Sequence, residues 1–445
     1  MSDPTALALA TQEPREDSER THQMFVQVVE ATHLPTLTAR KRGRPPTLCS
    51  VQLCLGVLLH FLRGWGSQLD LWRTLCSEPL GSFAPVQVCD QAVYNRLQTV
   101  AVAMKALFEQ VSLRLWVSSP SCCTSLAPFA EQVLALDERT LDRLCHWLPA
   151  LQTAAHTHPT VLAGRISALF DVRRQQWVRV DILEQAKANC KVHARAMLDG
   201  LKAGTLILFD RGYFSFEWFD SISEQGLWWV SRYANHASYQ VLWVCYQGDG
   251  VLDAIIQLGA YRADQARHRV RLVSFWHRGQ HYRYLTNVLD PHVLPLRDIA
   301  VLYARRWDIE MAFRLLKDYL HLNVLWSAKW SVLQVQLWAT LLLGQVVHAT
   351  QHQVACQAGV QDEEVSMELV VRWVPRLLAR GVEPVNYLVK HGERLRFLRP
   401  SSRVAIQTPV IDGRWVRSAP EEVLHSAEHA RHAHRKCEPR PQRRG

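Results

Sequence analysis

The sequence has no Cys-x2-Cys pair and no cysteine-rich cluster, and its eleven cysteines are an odd set in which Cys122 and Cys123 are adjacent. Such a set builds neither a zinc ribbon nor a secreted disulfide scaffold, and it reads as reduced thiols of the cytoplasm. A basic segment followed by an apolar one is missing from the start, so export is not expected. No apolar run reaches the ~18 uninterrupted residues of a membrane span. Leu48 to Leu62 is broken by Gln52 and His60, and Val332 to Val347 by Gln334, Gln336 and Gln345. Both are expected as core helices, and no membrane partner is expected. No internal repeat is visible.

What remains is an apolar-rich, basic chain of 445 residues, 48% hydrophobic and 21% charged, the proportions of a globular enzyme. At ~150 residues per domain the length allows about three domains, or two with a large insertion. Lys and Arg number 51 against 41 Asp and Glu, a net charge of +10 to which 20 histidines add below neutrality. A polyanion is the expected partner, although charge alone does not separate nucleic acid from a membrane surface or from solubility.

Residues 1–38 are polar, with an acidic cluster at Glu13, Glu16, Asp17 and Glu19, and are expected as a disordered tail. Residues 39–120 read as a helical DNA-binding region. It opens on Arg40-Lys-Arg-Gly-Arg-Pro-Pro46, continues with a helix whose Cys54, Val57, Leu58 and Phe61 share a face, and ends in a polar helix from Asp90. Three short helices of this kind suit a helix-turn-helix, with Gln91, Tyr94, Asn95 and Arg96 facing either bases or solvent. Arg42 and Arg44 match a minor-groove hook, in competition with a plain basic linker that attracts phosphates. Residues 121–225 alternate buried strands with helices, and 226–290 form a β-rich insert. Residues 291–352 hold a long helix, Arg297 to Tyr319, and 353–424 are helical. Residues 425–445 are a basic tail whose histidines are read as flexible.

Two apolar strands end in carboxylates, Asp137 and Asp210, and the long helix carries Glu310. Carboxylates at a sheet rim are open to a ligand, and three of them suit two Mg²⁺ ions sharing one ligand. On that helix Tyr303, Arg306, Glu310 and Lys317 fall within a stripe roughly 60° wide at about 100° per residue. One carboxylate, two cations and a phenol on one face suit a metal ligand beside phosphates rather than an apolar seam. Asp142, Asp171 and Asp181 follow less apolar runs and are assigned to turns or the surface. Asp308 lies on the opposite side of the helix from Glu310.

The spacing Tyr303-x2-Arg306-x3-Glu310-x6-Lys317, preceded by Tyr284-Leu-Thr-Asn287 and Asp298-Ile-Ala300, resembles the signature of the fourth large family of bacterial insertion-sequence DDE transposases. Asp210-Arg-Gly-Tyr-Phe214 resembles that family's second aspartate motif and Leu136-Asp-Glu-Arg-Thr-Leu141 its first, with Glu138-Arg139 standing where relatives carry small residues. The resemblance covers about residues 90 to 350. It implies an α/β fold with a ribonuclease-H-like catalytic core, 121–225 and 291–352, interrupted by the insert. It also implies Asp137 as a ligand shared by two Mg²⁺ ions, with Mn²⁺ an alternative ion, and Asp210 and Glu310 each completing one site. In-line displacement at phosphorus then needs no covalent protein intermediate.

Carried across, Tyr303, Arg306 and Lys317 become contacts to the DNA backbone. Trp276 and Tyr282 in the insert become candidate stackers on an extruded base, among Arg262, Arg267, Arg269, Arg271, Arg278 and Arg283. Aromatic alternation is also how a sheet fills its core. The implied activity is Mg²⁺-dependent cleavage and strand transfer at terminal inverted repeats of double-stranded DNA, by a homodimer on paired ends in a bacterial cytoplasm. The alternatives are a transposase-derived DNA-binding protein without catalysis and, last, a general nuclease of the same fold.

Overall fold

In Val133-Leu-Ala-Leu136 every side chain is buried, whereas the four residues after it are half-buried, and all eight form one strand. The strand is expected to stop at Asp137; it continues to Thr140, so that the carboxylate is an internal strand position. The computed structural model describes residues 47–64, 67–118, 126–141, 164–184, 190–235, 237–259, 265–322, 325–327, 329–401 and 406–424. Arg42, Arg44, Asp142, Arg262 and both tails lie outside them.

Along the chain, helices α1 (Ser50–Leu62), α2 (Gln68–Ser77), α3 (Asp90–Leu97) and α4 (Ala101–Ser118) precede strands β1 (Val133–Thr140), β2 (Arg165–Asp171) and β3 (Gln176–Leu183). Next come α5 (Cys190–Leu198), β4 (Leu206–Leu208), α6 (Phe216–Glu224), β5 (Trp228–Arg232), β6 (Tyr239–Gly248), β7 (Val251–Leu258), β8 (Val270–His277) and β9 (Gln280–Thr286). Helices α7 (Leu296–Arg305), α8 (Trp307–Arg314), α9 (Trp330–Ala358), α10 (Met367–Ala379) and α11 (Pro384–Lys390) follow. The chain is thus a mixed α/β protein. It divides into two compact units, Met1–Phe209 with Ala300–Ile406, and Asp210–Ile299 with Gln407–Gly445.

In the first unit the strands run β3-β2-β1-β4. Strand β1 pairs antiparallel with β2, Asp137 opposite Ala168, and parallel with β4, Ala135 opposite Leu208. Because β4 ends at Leu208, Asp137 lies two residues beyond the last β1 residue paired on that side. Helix α9 is long and apolar enough to cross a membrane by length and composition, yet 89% of its most apolar stretch is buried within the protein, as expected of a core helix. Helices α1, α3 and α4 pack on it, with Phe108 of α4 against Trp338 at 5.4 Å between ring centroids. A Cβ at Gly344 of α9 would approach Leu316 Cδ2 to 2.7 Å, so glycine is what admits that close crossing.

The expected single helix from Arg297 to Tyr319 is instead three pieces. Helix α7 ends at Arg305, α8 ends at Arg314, and a π-turn spans Leu315–Tyr319. A π-turn widens the winding, so a uniform 100° wheel does not carry through to Lys317. In the second unit the strands run β5-β9-β8-β7-β6, all antiparallel. Among the described cysteines, 49, 54, 76, 89 and 245 are free thiols, whereas Cys356 is disulfide-bonded, against the expectation of reduced thiols throughout.

Candidate active site

Strand β1 presents Asp137 and Arg139 on one face, because side chains two apart on a strand project the same way. The Asp137 carboxylate accepts one hydrogen bond among the described residues, from the Glu138 backbone N–H to Oδ1 at 2.9 Å. Burial raises its pKa to about 6. The Glu138 N–H, Arg139 and Arg306 act against that rise, and Glu310 adds to it as a like charge. Asp137 and Glu310 are therefore electrostatic neighbours within the first unit.

Glu310 lies in the first turn of α8, where the helix dipole favours a carboxylate. Its Oε1 accepts from Arg306 Nη2 at 2.7 Å and its Oε2 from Arg139 Nη2 at 3.2 Å. In the sequence Arg139 stands out only as a departure from the family pattern. The signal it carried was position, a cation two residues after a carboxylate on a largely buried strand. Its neighbour Glu138 is held by Arg165 at 2.7 Å.

Of the four-residue stripe, Tyr303 and Arg306 are buried, 4% and 6% exposed, while Glu310 and Lys317 are half-buried. The expected outward face of DNA contacts is therefore turned inward at two of its members. Arg306 lies near the rings of Tyr303 and Trp307, 5.7 Å and 5.3 Å from their centroids. Asp308 faces a separate network, as expected: it accepts from Arg305 Nε at 2.6 Å and Gln175 Nε2 at 2.8 Å. Arg305 also meets Asp362 at 3.3 Å, whose other oxygen is 2.7 Å from His352 Nδ1. Asp171 is buried at the end of β2, where it caps the N–H groups of Arg173 and Arg174 at 2.8 Å each.

In the second unit, Asp210 Oδ1 accepts from the Gly212 N–H at 2.8 Å and closes a tight turn. A Cβ at position 212 would stand 2.9 Å from that oxygen, so a side chain there would displace the Asp210 carboxylate. The same unit holds a cavity of about 150 Å³ among Arg211, Arg232, Tyr233, Tyr282 and Arg283. The Arg283 guanidinium covers the Tyr233 ring at 4.6 Å, and that of Arg232 lies 5.8 Å from the Tyr282 ring. Arg211 and Arg232 were not singled out in the sequence, where each is one arginine among many.

Tyr282 is half-buried and stacks on Phe275, centroids 5.6 Å apart. Trp276 is 58% exposed and stacks on His281 at 4.7 Å with 7° between the planes. Arg271 departs from its expected place on a DNA-facing surface. It is fully buried and makes a bidentate pair with Asp253 at 2.7 and 2.6 Å. Alternation on a half-buried sheet puts some arginines inside, where they need an acid.

Among the described residues no three His, Cys, Asp or Glu side chains form a group able to hold a metal ion. The donor chemistry of Asp137 and Glu310 nevertheless suits Mg²⁺, which takes hard oxygen ligands and often only one or two protein carboxylates. Asp137 supports that fit, since no hydrogen bond from a cation satisfies its oxygens among the described residues.

Residues 132–343 match a family model described as the transposase DDE domain, a span that contains Asp137, Asp210 and Glu310. A curated relative, "Putative transposase y4zB" of Sinorhizobium fredii (strain NBRC 101917 / NGR234), is 25% identical over 150 residues, 32% of this chain and 41% of that protein. The chain thus spans about two fifths of the length of the curated relative it matches. A solved piggyBac transposase, in a synaptic complex with hairpin DNA, aligns over 96% of this chain and 93% of its own at 9% identity, with a TM-score of 0.39.

Proposed function

We propose that the chain is a DNA transposase of the DDE type that cuts and joins phosphodiesters at the ends of an insertion sequence. The observation that carries this reading is the coincidence of the transposase-domain match with the Asp137, Arg139, Arg306 and Glu310 constellation, which joins β1 to α8. Asp137, Asp210 and Glu310 are proposed as its acidic residues, within a ribonuclease-H-like core, and the Tyr303 to Lys317 spacing as the signature of the fourth insertion-sequence family.

Mg²⁺ held by such carboxylates, two ions in the full reading with Mn²⁺ able to replace them, supplies Lewis-acid neutralisation of charge in an in-line displacement at phosphorus. The chain's own part begins with Asp137, which is mostly ionised only above about pH 6 and so is a competent ligand near neutrality. Arg306 and Arg139 hold the Glu310 carboxylate in place through one oxygen each. Lys317 is proposed to meet the DNA backbone, with Tyr303 and Arg306 behind it. In the insert, Trp276 and Tyr282 offer ring faces to an unstacked base, and Arg211, Arg232 and Arg283 offer cations to its phosphates. Arg42 and Arg44 are proposed to hold flanking duplex. The double-stranded ends and target are taken by a homodimer, in the bacterial cytoplasm.

The test mixes the full chain, Mg²⁺ and labelled duplex from the DNA flanking its reading frame. Nicks at the terminal repeats that Glu310→Gln abolishes, with binding retained, support the assignment; equal cleavage by that variant refutes it. One observation favours a second reading, a DNA-binding protein without catalysis: both Glu310 oxygens are already engaged by guanidinium groups. Specific end binding with no nicking under any divalent ion would establish it.

A further inference from the structure

We infer that Arg139 is a positioning residue for the acidic site, a latch that holds one oxygen of Glu310 and has to swing out before a divalent cation takes that oxygen. The inference rests on the reading of Asp137 and Glu310 as cation ligands. Around them the charges balance, two carboxylates against the guanidinium groups of Arg139 and Arg306. A dication entering such a balanced group is opposed by both guanidinium charges and finds each Glu310 oxygen occupied.

The two cations are not equivalent. Arg306 is 8% exposed at its side chain, holds Glu310 at 2.7 Å and is flanked by the Tyr303 and Trp307 rings. Arg139 is 31% exposed and holds Glu310 at the longer 3.2 Å, its one hydrogen-bond partner among the described residues. Rehydrating a half-exposed guanidinium costs little, whereas Arg306 would have to leave a buried setting. Arg139 is therefore the cation that yields, and Arg306 the one that stays to orient the freed carboxylate.

The test measures Mn²⁺ binding to the full chain without DNA, by calorimetry and by the spin-resonance signal of the unbound ion. Arg139→Gln is expected to bind Mn²⁺ about tenfold tighter than the wild type, the scale of one charge-assisted contact. Arg139→Lys, which keeps the charge on a different head group, is expected between the two. Arg165→Gln removes the same charge from the Glu138 pair and is expected to stay within about twofold of wild type, since Glu138 projects from the opposite face of β1 to Asp137 and Arg139.

Thermal melts by circular dichroism accompany each variant, so that a misfolded protein is not read as a weak binder. Equal affinity of wild type and Arg139→Gln, or equal tightening by Arg165→Gln, overturns the latch while leaving the site reading in place. Mn²⁺ binding by Glu310→Gln at wild-type strength removes the underlying reading as well, and the two failures are told apart by which variant departs from expectation.

Discussion

Arg139 donates to Glu310 across 171 positions of sequence, so the strand that carries the first acidic motif and the helix that carries the third are joined by a side chain belonging to neither acid set. Removing Glu310 therefore has a cost that a crowded catalytic acid would not show. Arg306, 8% exposed at its side chain, would be left without its acid, and breaking a buried pair from one side costs about 3 kcal/mol or more. The half-exposed Arg139 contact adds little. Glu310→Ala is expected to lower the urea-unfolding free energy by about 3 kcal/mol or more in metal-free buffer. A gain in stability would mean instead that repulsion from Asp137 dominates at Glu310.

His348 on α9 gives the fold an acid-sensitive point. It is 1% exposed, and burial pulls its pKa down to about 4, only partly opposed by Asp308 and Asp362. A folded value below the unfolded one of about 6.5 means that the neutral ring stabilises the fold above pH 6.5, a contribution lost as pH falls through 4. By pH 5 the loss from this one residue is about 2 kcal/mol. His348→Gln is expected to flatten the fall in stability between pH 7.5 and 5 by that amount, read from urea midpoints at each pH. His60, also 1% exposed and lowered to about 4, contributes in the same sense and remains in the variant.

Much of the element order was legible because burial follows residue type. The β-branched and aromatic runs Leu227 to Val230, Gln240 to Tyr246, Val270 to Trp276 and His281 to Val288 of the insert fall on strands β5, β6, β8 and β9. Strand β7 escaped notice because Asp253 breaks its apolar pattern, and only the partner Arg271 on β8 makes a buried acid tolerable there. The turn at Arg306 and the π-turn from Leu315 left no mark on composition, since the apolar spacing runs through both. Of the candidate site, Asp137 and Glu310 are legible as carboxylates at the end of an apolar run and on a polar stripe. The full length of β1 was not, because Glu138 and Arg139 read as strand-breaking charges until Arg165 and Glu310 neutralise them.

The Arg271–Asp253 pair takes one arginine of the insert out of the proposed DNA contact. Both side chains are buried, and Arg271 Nη1 also donates to the Leu294 carbonyl at 2.7 Å. Asp253→Ala is expected to lower stability by about 3–5 kcal/mol, because an uncompensated guanidinium is left inside. Arg271→Met with Asp253→Leu removes both charges together and is expected to recover most of that loss. DNA affinity of this folded double variant should match the wild type in a fluorescence-anisotropy titration; a fall of tenfold or more would return Arg271 to the DNA surface.

Trp276 and Arg232 are expected to fail in different ways when the proposed DNA contact is tested. Trp276 is 58% exposed and held flat against His281, so its outer face is already oriented for a base. Base–aromatic stacking is worth about 1–3 kcal/mol and is indifferent to salt. Arg232 beside the cavity would act on a phosphate, and each such contact contributes about one unit to the slope of log affinity against log salt. Trp276→Ala is therefore expected to weaken binding of an end with unpaired bases by about five- to 150-fold, with the slope unchanged. Arg232→Ala is expected to reduce the slope by about one while leaving the preference for unpaired bases intact. Anisotropy titrations of fully paired and frayed ends across a potassium chloride series measure both quantities. If Trp276→Ala instead changed the slope and left frayed and paired ends equally bound, the tryptophan would be packing the sheet surface and not reading a base.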